Sequence, residues 1–362
     1  MTNILEQMQL TKILFGTTPE GEQIYSFQLQ NDNQMLVSII EYGAVVAKIM
    51  VPDKNGEIAD VVLGFDDLQG YLDDSECLGA TIGRVAGRIG GAGFSIDGNK
   101  YKLSPNTLPD FGRNHLHGGA KDFNNVIWKG ETFEKDNIVG VELSYYSEDG
   151  EEGYPGNMDI RVKYSLNNEN ELSIDYFAVT DKPGLASFTH HGYFNLAGEG
   201  TGTVLDQKMW VNADKFTVED DDMIPTGEIL NVKGLPVDFT SEHAIGSRID
   251  EMQMAKYKGY DLNYILNHKK PGALDLAARA IDTASGRVLE VYSTQPCIQL
   301  YTANSLEDVP GKGSNKYSGF DAFCLEPQGY PDAPNHANFL SVELRPGEEY
   351  RKTIVYKFLI TD

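Results

Sequence analysis

Hydrophobic and polar residues alternate with a period of two along much of this chain. In FSIDGNKYKL, Phe94 and Ile96 alternate with polar neighbours, and Tyr101 and Leu103 resume the alternation after a polar break. The break, residues 97–99, reads Asp-Gly-Asn, and Gly and Asn accept the positive φ of a tight turn. Because successive side chains of a strand point to opposite faces, this stretch predicts a β-hairpin with one apolar face.

The same design recurs in RVKYSLNNENELSIDYFAV, residues 161–179. Apolar residues occupy every second position on both sides of the polar segment NNEN (167–170), which predicts a second hairpin. The residues predicted to share its apolar face are Val162, Tyr164, Leu166, Leu172, Ile174 and Tyr176. RVLEVYSTQP (287–296) and KTIVYKFLI (352–360) predict further strands, since β-branched and aromatic residues suit a pleated surface.

Few segments have helical periodicity. FDDLQGYLDD (65–74) and SEHAIGSRIDE (241–251) predict short helices, and no long amphipathic helix alternates with the strands. A doubly wound α/β sheet is therefore disfavoured. No Pro/Gly/Ser linker, low-complexity tract or repeat divides the chain. We expect an all-β fold, a large antiparallel β-sandwich with a few short helices, formed as a single domain by residues 1–362.

The net charge of −24 narrows the choice of partners. Such a field repels nucleic acids, anionic membranes and phosphorylated metabolites, so it mildly favours a neutral or cationic ligand. Cys77, Cys297 and Cys324 are an odd number of cysteines without a CxxC pair, which indicates neither a disulfide framework nor a zinc ribbon. Residues 1–16 lack the basic and apolar regions of a signal peptide, and we expect a cytoplasmic location.

Two adjacent histidines stand in THHGYFNL (189–196). If this stretch is one strand, His191 shares a face with Tyr193 and Asn195, a polar set that suits a ligand cleft. His190 then shares its face with residues 192, 194 and 196, Gly, Phe and Leu, which suits the core. A histidine has an unperturbed pKa near 6.5, so we expect His191 to be a proton donor and His190 to be structural.

A second pair, His115 and His117, stands in NHLHGG (114–119). On a strand, the two histidines share a face, and the glycines after them permit a sharp turn. An HxH pair can hold a metal, but GGAKDFNN, which follows, contains no glutamate that would complete such a site. A core histidine that is hydrogen-bonded is the alternative interpretation for His115.

Three further stretches carry charged groups whose roles the residues alone leave open. Arg84 and Arg88 in GRVAGRIGGAGF suit either a phosphate, although GxxxxGK[ST] is missing, or vicinal hydroxyls. Asp261 in KGYDLNYIL suits sugar hydroxyls or a turn cap. Glu326, between AFCL and Pro327, suits a general base held at a strand edge or an ordinary strand-end glutamate.

Six stretches in this order resemble the aldose 1-epimerases, or galactose mutarotases. They are GRVAGRI, HLHGG, HHGYFNLAG, GYDLNYIL, QPCIQLYTAN and LEPQGYPDAPNHANF with LRPGEEY. The similarity extends from about residue 15 to the C-terminus, and six motifs in order are more specific than any one of them. The resemblance implies a single antiparallel β-sandwich with a broad cleft, and a reaction in which acid and base open and reclose a sugar ring.

The resemblance also implies roles for individual residues. It places the base on Glu326 and the acid on His191. It implies sugar contacts for five more residues, Arg88, His117, Asp261, Gln299 and Tyr301. It implies no cofactor or metal, and a small neutral aldose of the galactose or glucose type as substrate. Many members have Asn where this chain has Gly87, and Asn or Gly where it has His190, which affects the expected sugar preference.

Three other functions remain as alternatives. A carbohydrate-binding protein without activity would need the aromatic and hydroxyl-binding groups, but not both Glu326 and a protonatable His191. An epimerase of a related sugar such as a disaccharide is a second alternative, which the sequence does not distinguish from the first choice. A hexose 6-phosphate epimerase needs clustered cationic residues, which the net charge disfavours. The preferred aldose and the oligomeric state are not encoded in any of these motifs.

Overall fold

The structure, a computed structural model, describes residues 8–109, 112–252 and 258–361. The remaining residues, 1–7 among them, lie outside this description, so it does not test what the sequence predicts for the first residues. In chain order, the strands are β1 (Gln9–Thr17), β2 (Gln23–Gln30), β3 (Leu36–Ile40), β4 (Val45–Pro52), β5 (Ile58–Asp60), β6 (Thr81–Ile82), β7 (Arg88–Ile89), β8 (Gly93–Ile96), β9 (Asn99–Lys102), β10 (His115–Leu116), β11 (Lys129–Lys135), β12 (Ile138–Ser147), β13 (Met158–Leu166), β14 (Glu171–Thr180), β15 (Gly184–Leu185), β16 (Thr189–His190), β17 (Tyr193–Phe194), β18 (Lys208–Val211), β19 (Lys215–Glu219), β20 (Pro225–Asn231), β21 (His243–Ala244), β22 (Asp261–Ile265), β23 (Asp275–Ile281), β24 (Arg287–Ser293), β25 (Cys297–Tyr301), β26 (Val309–Pro310), β27 (Lys316–Tyr317), β28 (Phe323–Gln328), β29 (Glu343–Leu344) and β30 (Tyr350–Ile360).

Most of these strands belong to three sheets. A nine-stranded sheet has the order β11-β12-β13-β14-β30-β24-β23-β18-β21, and a six-stranded sheet has the order β17-β28-β25-β22-β19-β20. The first five strands form the third sheet in sequence order. Every ladder between the named strands is antiparallel, for example β13 with β14 and β25 with β28. The predicted all-β architecture is confirmed.

The two hairpins predicted from alternation are present with the predicted faces. β8 and β9 pair across the turn at 97–98, and β13 and β14 pair across the turn at 167–170. All six apolar residues predicted to share a face of the second hairpin are buried. They lie in the main core cluster, because the polar alternates of the same strands face the other way.

The main core lies between the nine-stranded sheet and the other two sheets. The Tyr356 ring of β30 packs against Phe194 of β17 at 5.1 Å between ring centroids, and its Oη donates to the Leu325 carbonyl at 3.3 Å. Tyr164 of β13 donates to the Ala44 carbonyl, next to β4, at 2.6 Å. The nine-stranded sheet is therefore one layer of the sandwich, and it contacts both other sheets.

Helices are short, as the sequence predicts. Helix α1 (Leu68–Leu72) lies inside the predicted 65–74 segment, and Asp67 caps it by accepting from the Gly70 N–H at 3.0 Å. The predicted 241–251 helix is instead β21 followed by a 3-10 helix, Ile245–Glu251. Other 3-10 helices are Gly90–Ala92, Phe123–Asn125, Glu151–Gly153, Lys312–Ser314 and Ala333–Asn335. Within the described ranges, no helix has the length and apolarity needed to cross a membrane.

Candidate active site

One face of the six-stranded sheet forms the floor of a cleft. In β28, Phe323 and Leu325 enter the core cluster, so the alternate residues Cys324, Glu326 and Gln328 face the opposite side. Register continues this polar face across the sheet, because side chains of directly opposed residues point the same way. The opposed pairs are Glu326 with Gln299, Cys324 with Tyr301, Gln299 with Asn263 and Tyr301 with Asp261.

Loops and short strands build the walls of this cleft. Arg88 comes from β7, His117 follows β10, and His191 and Tyr193 come from the β16–β17 segment. The cavity has a volume of about 580 Å³, within the range of small-molecule sites. All seven site residues expected from the sequence line it. A larger groove of about 860 Å³ along residues 340–352 contains none of the seven.

His191 and Glu326 lie side by side on the cleft floor. His191 Nε2 lies 3.6 Å from Glu326 Oε2, and both side chains are more than nine-tenths buried. Burial raises the pKa of Glu326, the nearby Asp261 charge raises it further, and Arg88 opposes both effects. Burial lowers the pKa of His191 to about 4, so the expectation based on an unperturbed value near 6.5 is wrong. Burial therefore favours the uncharged form of each group.

The two adjacent histidines face opposite sides, as alternation predicts. His190 is fully buried, with Nδ1 3.2 Å from Tyr356 Oη, whereas the His191 ring stacks on Tyr193 at 4.9 Å in the cleft. The third residue of the predicted polar face behaves differently. Asn195 donates to the carbonyls of residues 202 and 321 and does not line the cleft. The strand is interrupted after His190, so alternation from His191 does not extend to residue 195.

The second histidine pair is split, and the prediction that His115 and His117 share a face is wrong. His115 is fully buried, with Nδ1 2.7 Å from the Ser104 carbonyl, so its interpretation as a core histidine is confirmed. β10 ends at Leu116, and His117 has φ +54, which turns its ring into the cleft. Gly118 follows with φ +100, where a Cβ would lie 1.9 Å from the Gly83 carbonyl oxygen. Only glycine fits this close approach.

The tautomer of His117 follows from its backbone partner. The Gly87 N–H donates to His117 Nδ1 at 3.2 Å, so Nδ1 carries the lone pair. Burial and the neighbouring His191 and Arg88 hold the pKa of His117 well below its usual range, so the ring is neutral. Its proton is consequently on Nε2, where it is available as a hydrogen-bond donor. Gly87 itself has φ +76, a conformation that Asn also tolerates.

The arginine stretch contains one structural and one cleft residue. Arg84 is 2% exposed and donates to Ser147 Oγ and to the carbonyls of residues 147, 148 and 155. Arg84 therefore has a structural role in the core and is not part of a phosphate-binding loop. Arg88 lines the cleft, where its charge opposes the rise in the pKa of both Asp261 and Glu326.

Asp261 is held by a chain of side-chain amides. Gln299 Nε2 donates to Asp261 Oδ1 at 2.7 Å, and Gln299 Oε1 accepts from Gln328 Nε2 at 3.3 Å. Asp261 begins β22 and faces the cleft, where burial raises its pKa. The position of Asp261 therefore agrees with a carboxylate that faces a ligand cleft rather than with one that caps a turn. Tyr301 is directly opposite it, with its Oη 2.6 Å from Ser305 Oγ.

Sequence reasoning missed several cleft residues. Glu219, at the end of β19, lines the cleft near Asp261 and Arg88, and burial raises its pKa. The position of Gln328 on the same face as Glu326 could have been predicted from the alternation in FCLEPQ, since it lies two residues after Glu326. Cys324 lies on the same face, and its Sγ, a His191 ring nitrogen and a Glu326 carboxylate oxygen lie within 4.8 Å of one another. No local sequence motif predicts that His191 and the Cys324 thiol lie close together.

A buried histidine–carboxylate pair in a polar, aromatic-walled cleft on an antiparallel sandwich is an arrangement that can transfer protons to and from a polar ligand such as a sugar. The family model described as aldose 1-epimerase matches residues 25–357. Galactose mutarotase from Bos taurus is 41% identical over 98% of this chain and 99% of its own length. Aldose 1-epimerase from Escherichia coli K12 is 34% identical over 94% of this chain and 97% of its own length.

Solved structures give the same result for the fold. An aldose epimerase homologue from C. elegans is 30% identical, with a TM-score of 0.83 over 98% of this chain and all of that one. Galactose 1-epimerase from Lactobacillus acidophilus is 25% identical, with a TM-score of 0.84 and the same coverage. The chain belongs to the aldose 1-epimerase family. It is an isomerase that interconverts the anomers of aldoses.

Proposed function

We propose that the aldose is a neutral hexose of the galactose or glucose type, with Glu326 as base and His191 as acid. The observation that carries the proposal is the buried pair with Nε2 and Oε2 3.6 Å apart on the cleft floor. Glu326 accepts the proton of the anomeric hydroxyl, and His191 donates one to the ring oxygen. The ring opens to the aldehyde, the C1–C2 bond rotates, and reclosure with reversed proton transfers gives the other anomer.

The pair contains the proton that this cycle requires. Burial favours the arrangement in which both groups are neutral, with the proton on Glu326, whereas attraction at 3.6 Å favours the ion pair with the proton on His191. These two arrangements contain the same number of protons. We assign the reaction to the ion pair, so a shift of one proton within the pair prepares the cleft without uptake from solvent.

The remaining cleft groups are assigned to binding the sugar. Asp261, fixed by Gln299, accepts from hydroxyls, whereas Arg88 and the Nε2–H of His117 donate to them. Tyr301 and Tyr193 contribute aromatic wall, with ring centroids 6.1 Å apart. Arg88 is the one Lys or Arg among the described residues that line the cleft, so the cleft lacks the clustered cations that a phosphorylated sugar would need, which supports a neutral sugar.

We also propose that residues 1–362 fold as one domain. The nine-stranded sheet supports this, because it pairs β14 with β30, strands more than 150 residues apart in the chain. The same sheet contacts strands from both the N-terminal and C-terminal halves through Tyr164 and Tyr356. Separate domains would each need a core of their own, whereas one cluster here contains residues from all three large sheets.

A polarimetry panel tests the substrate and the roles together. Purified protein is given single anomers of galactose, glucose, maltose, glucose 6-phosphate and galactose 6-phosphate, with spontaneous mutarotation subtracted. We expect galactose or glucose to be converted with the highest kcat/KM. Glu326→Gln, which keeps the shape and removes the base, is expected to lower kcat by at least about 10²-fold with little change in KM. A higher kcat/KM for a 6-phosphate would contradict the substrate class, and an unchanged kcat would remove Glu326 from the reaction.

A further inference from the structure

Three different metal-ligating side chains meet at the floor of the cleft. Cys324 lies two residues before Glu326 on the same face of β28, so its thiol is beside the acid/base pair. The donor atoms of Cys324, Glu326 and His191 all lie within 4.8 Å of one another. Cys324 is fully buried, and it packs behind the pair in a cluster with Tyr193 and Tyr301. The cleft opens onto His191 and Glu326, so an ion entering it would meet the thiol last.

We propose that Cys324, His191 and Glu326 form a site for a divalent cation of the zinc class, and that a cation bound there inhibits the enzyme. The part of the proposal that concerns inhibition rests on the proposed roles of His191 and Glu326. The part that concerns binding rests only on the donor atoms and their positions.

The donor types and distances suit zinc. Thiolate, imidazole and carboxylate are its usual protein ligands, at about 2.0–2.3 Å, which places tetrahedral donors about 3.3–3.8 Å apart. His191 Nε2 and Glu326 Oε2, at 3.6 Å, already have that separation. Because no donor pair exceeds 4.8 Å, the third ligand needs to move by about 1 Å. The fourth position faces the cleft, where water or a sugar hydroxyl can occupy it.

The charges also balance. One thiolate and one carboxylate neutralise a divalent ion, which offsets the cost of placing that ion in a buried site. Binding would release the Cys324 proton and the proton shared by the pair to solvent. Asp261, which lines the same cleft, adds further negative charge that attracts a cation. Calcium and magnesium prefer oxygen donors only, so a borderline-soft ion fits better.

Inhibition follows from the shared ligands. His191 coordinated through a ring nitrogen cannot donate a proton to the sugar, and coordinated Glu326 cannot accept one. Sugar and cation then compete for the same two groups, so galactose should protect against the metal. Chelation of the purified protein should leave its activity unchanged or raise it, because the proposed reaction needs neither the metal nor Cys324.

The three cysteines provide a matched set of variants for the test. Co²⁺ is titrated into chelator-treated protein, and its thiolate charge-transfer absorption is recorded. Zn²⁺ inhibition is then measured against the metal-free rate of each variant. Cys77→Ser removes a thiol that lines the same cleft outside the trio, and Cys297→Ala removes a buried thiol elsewhere on the sheet. Cys324→Ala removes the proposed ligand, and Cys324→Ser is the second variant if the alanine protein does not fold.

We expect one Co²⁺ per chain, with the thiolate band present in the wild type and in both control variants and absent without Cys324. Loss of a direct ligand should weaken Zn²⁺ inhibition by at least about tenfold, since even an outer-sphere change often costs that much. A band that persists without Cys324, or that disappears with Cys77, would overturn the site. Mutarotation of the metal-free wild type tests the proposed function separately, because the Co²⁺ spectrum does not depend on turnover.

Discussion

The core side and the cleft side of the sandwich use the same residue types for different purposes. Three short stretches each supply one residue to each side. The core residues are Arg84, His115 and His190, and the cleft residues are Arg88, His117 and His191. Those on the core side bond to carbonyls or to a buried hydroxyl. The pairs show that residue type does not determine the role: side-chain direction does.

A perturbed pKa does not separate the two sides either. Burial lowers the pKa of His190 to about 3 and that of His191 to about 4. What differs is the partner: His190 meets the Tyr356 hydroxyl, whereas His191 meets a carboxylate that can exchange a proton with it. Perturbed groups indicate a functional site only when geometry gives them a partner and access to a substrate.

The sharpest test of this comparison exchanges each neighbouring histidine for asparagine. His191→Asn should lower kcat by roughly 10²–10⁴-fold while the protein stays folded, because the proposed general acid is lost. His190→Asn should keep most of the activity and lower the melting temperature, because the buried contact with Tyr356 Oη changes. Polarimetry and circular dichroism measure the two effects. If the folded, inactive variant is His190→Asn, the assignment of the two faces is reversed.

Compared with the two histidine variants, variants of the two arginines should change turnover less and stability more. Arg84→Ala leaves two buried carbonyls, those of residues 147 and 155, without their donor, so we expect the free energy of unfolding to fall by about 3 kcal/mol. Arg88→Ala should raise KM for the sugar about tenfold, since a charged hydrogen bond is worth about 1.5–3 kcal/mol. Urea unfolding and steady-state kinetics separate the two. Equal losses of stability in both variants would contradict the division into core and cleft residues.

The smallest expected effect is a displaced acid limb in the pH profile. His191 has a lowered pKa, so the pair takes up a second proton only as the pH falls towards about 4, and the reactive singly protonated pair persists above that. We therefore expect kcat/KM to be maintained below pH 6.5 and to fall near pH 4, with folding monitored by circular dichroism. The His190→Asn variant should show the same limb. A limb centred at 6.5 would place a solvated histidine in the reaction.

The local sequence pattern was sufficient to predict the fold class and part of the candidate site. The hairpins at 94–101 and 162–176 were predictable because each rests on alternation and a turn between adjacent strands. His191 facing away from His190 was predictable for the same reason. The orientation of His117 was not, because it depends on a positive φ and on the close approach of Gly118 to Gly83. The proximity of Cys324 to His191 depends on pairing between distant strands, which alternation does not report.

The amide chain that ends on Asp261 has a consequence for robustness. Glutamine side chains do not ionise, so the link from Gln328 to Gln299 is independent of pH, and only the last member of the chain, the Asp261 carboxyl group, can titrate. In the proposed reaction, the neighbouring pair of His191 and Glu326 moves a proton, so both of its members change charge. The cleft floor therefore combines groups of constant charge with groups that exchange a proton. The two glutamine amides would keep a constant hydrogen-bonding pattern on the cleft floor while the charges of the neighbouring pair change during turnover.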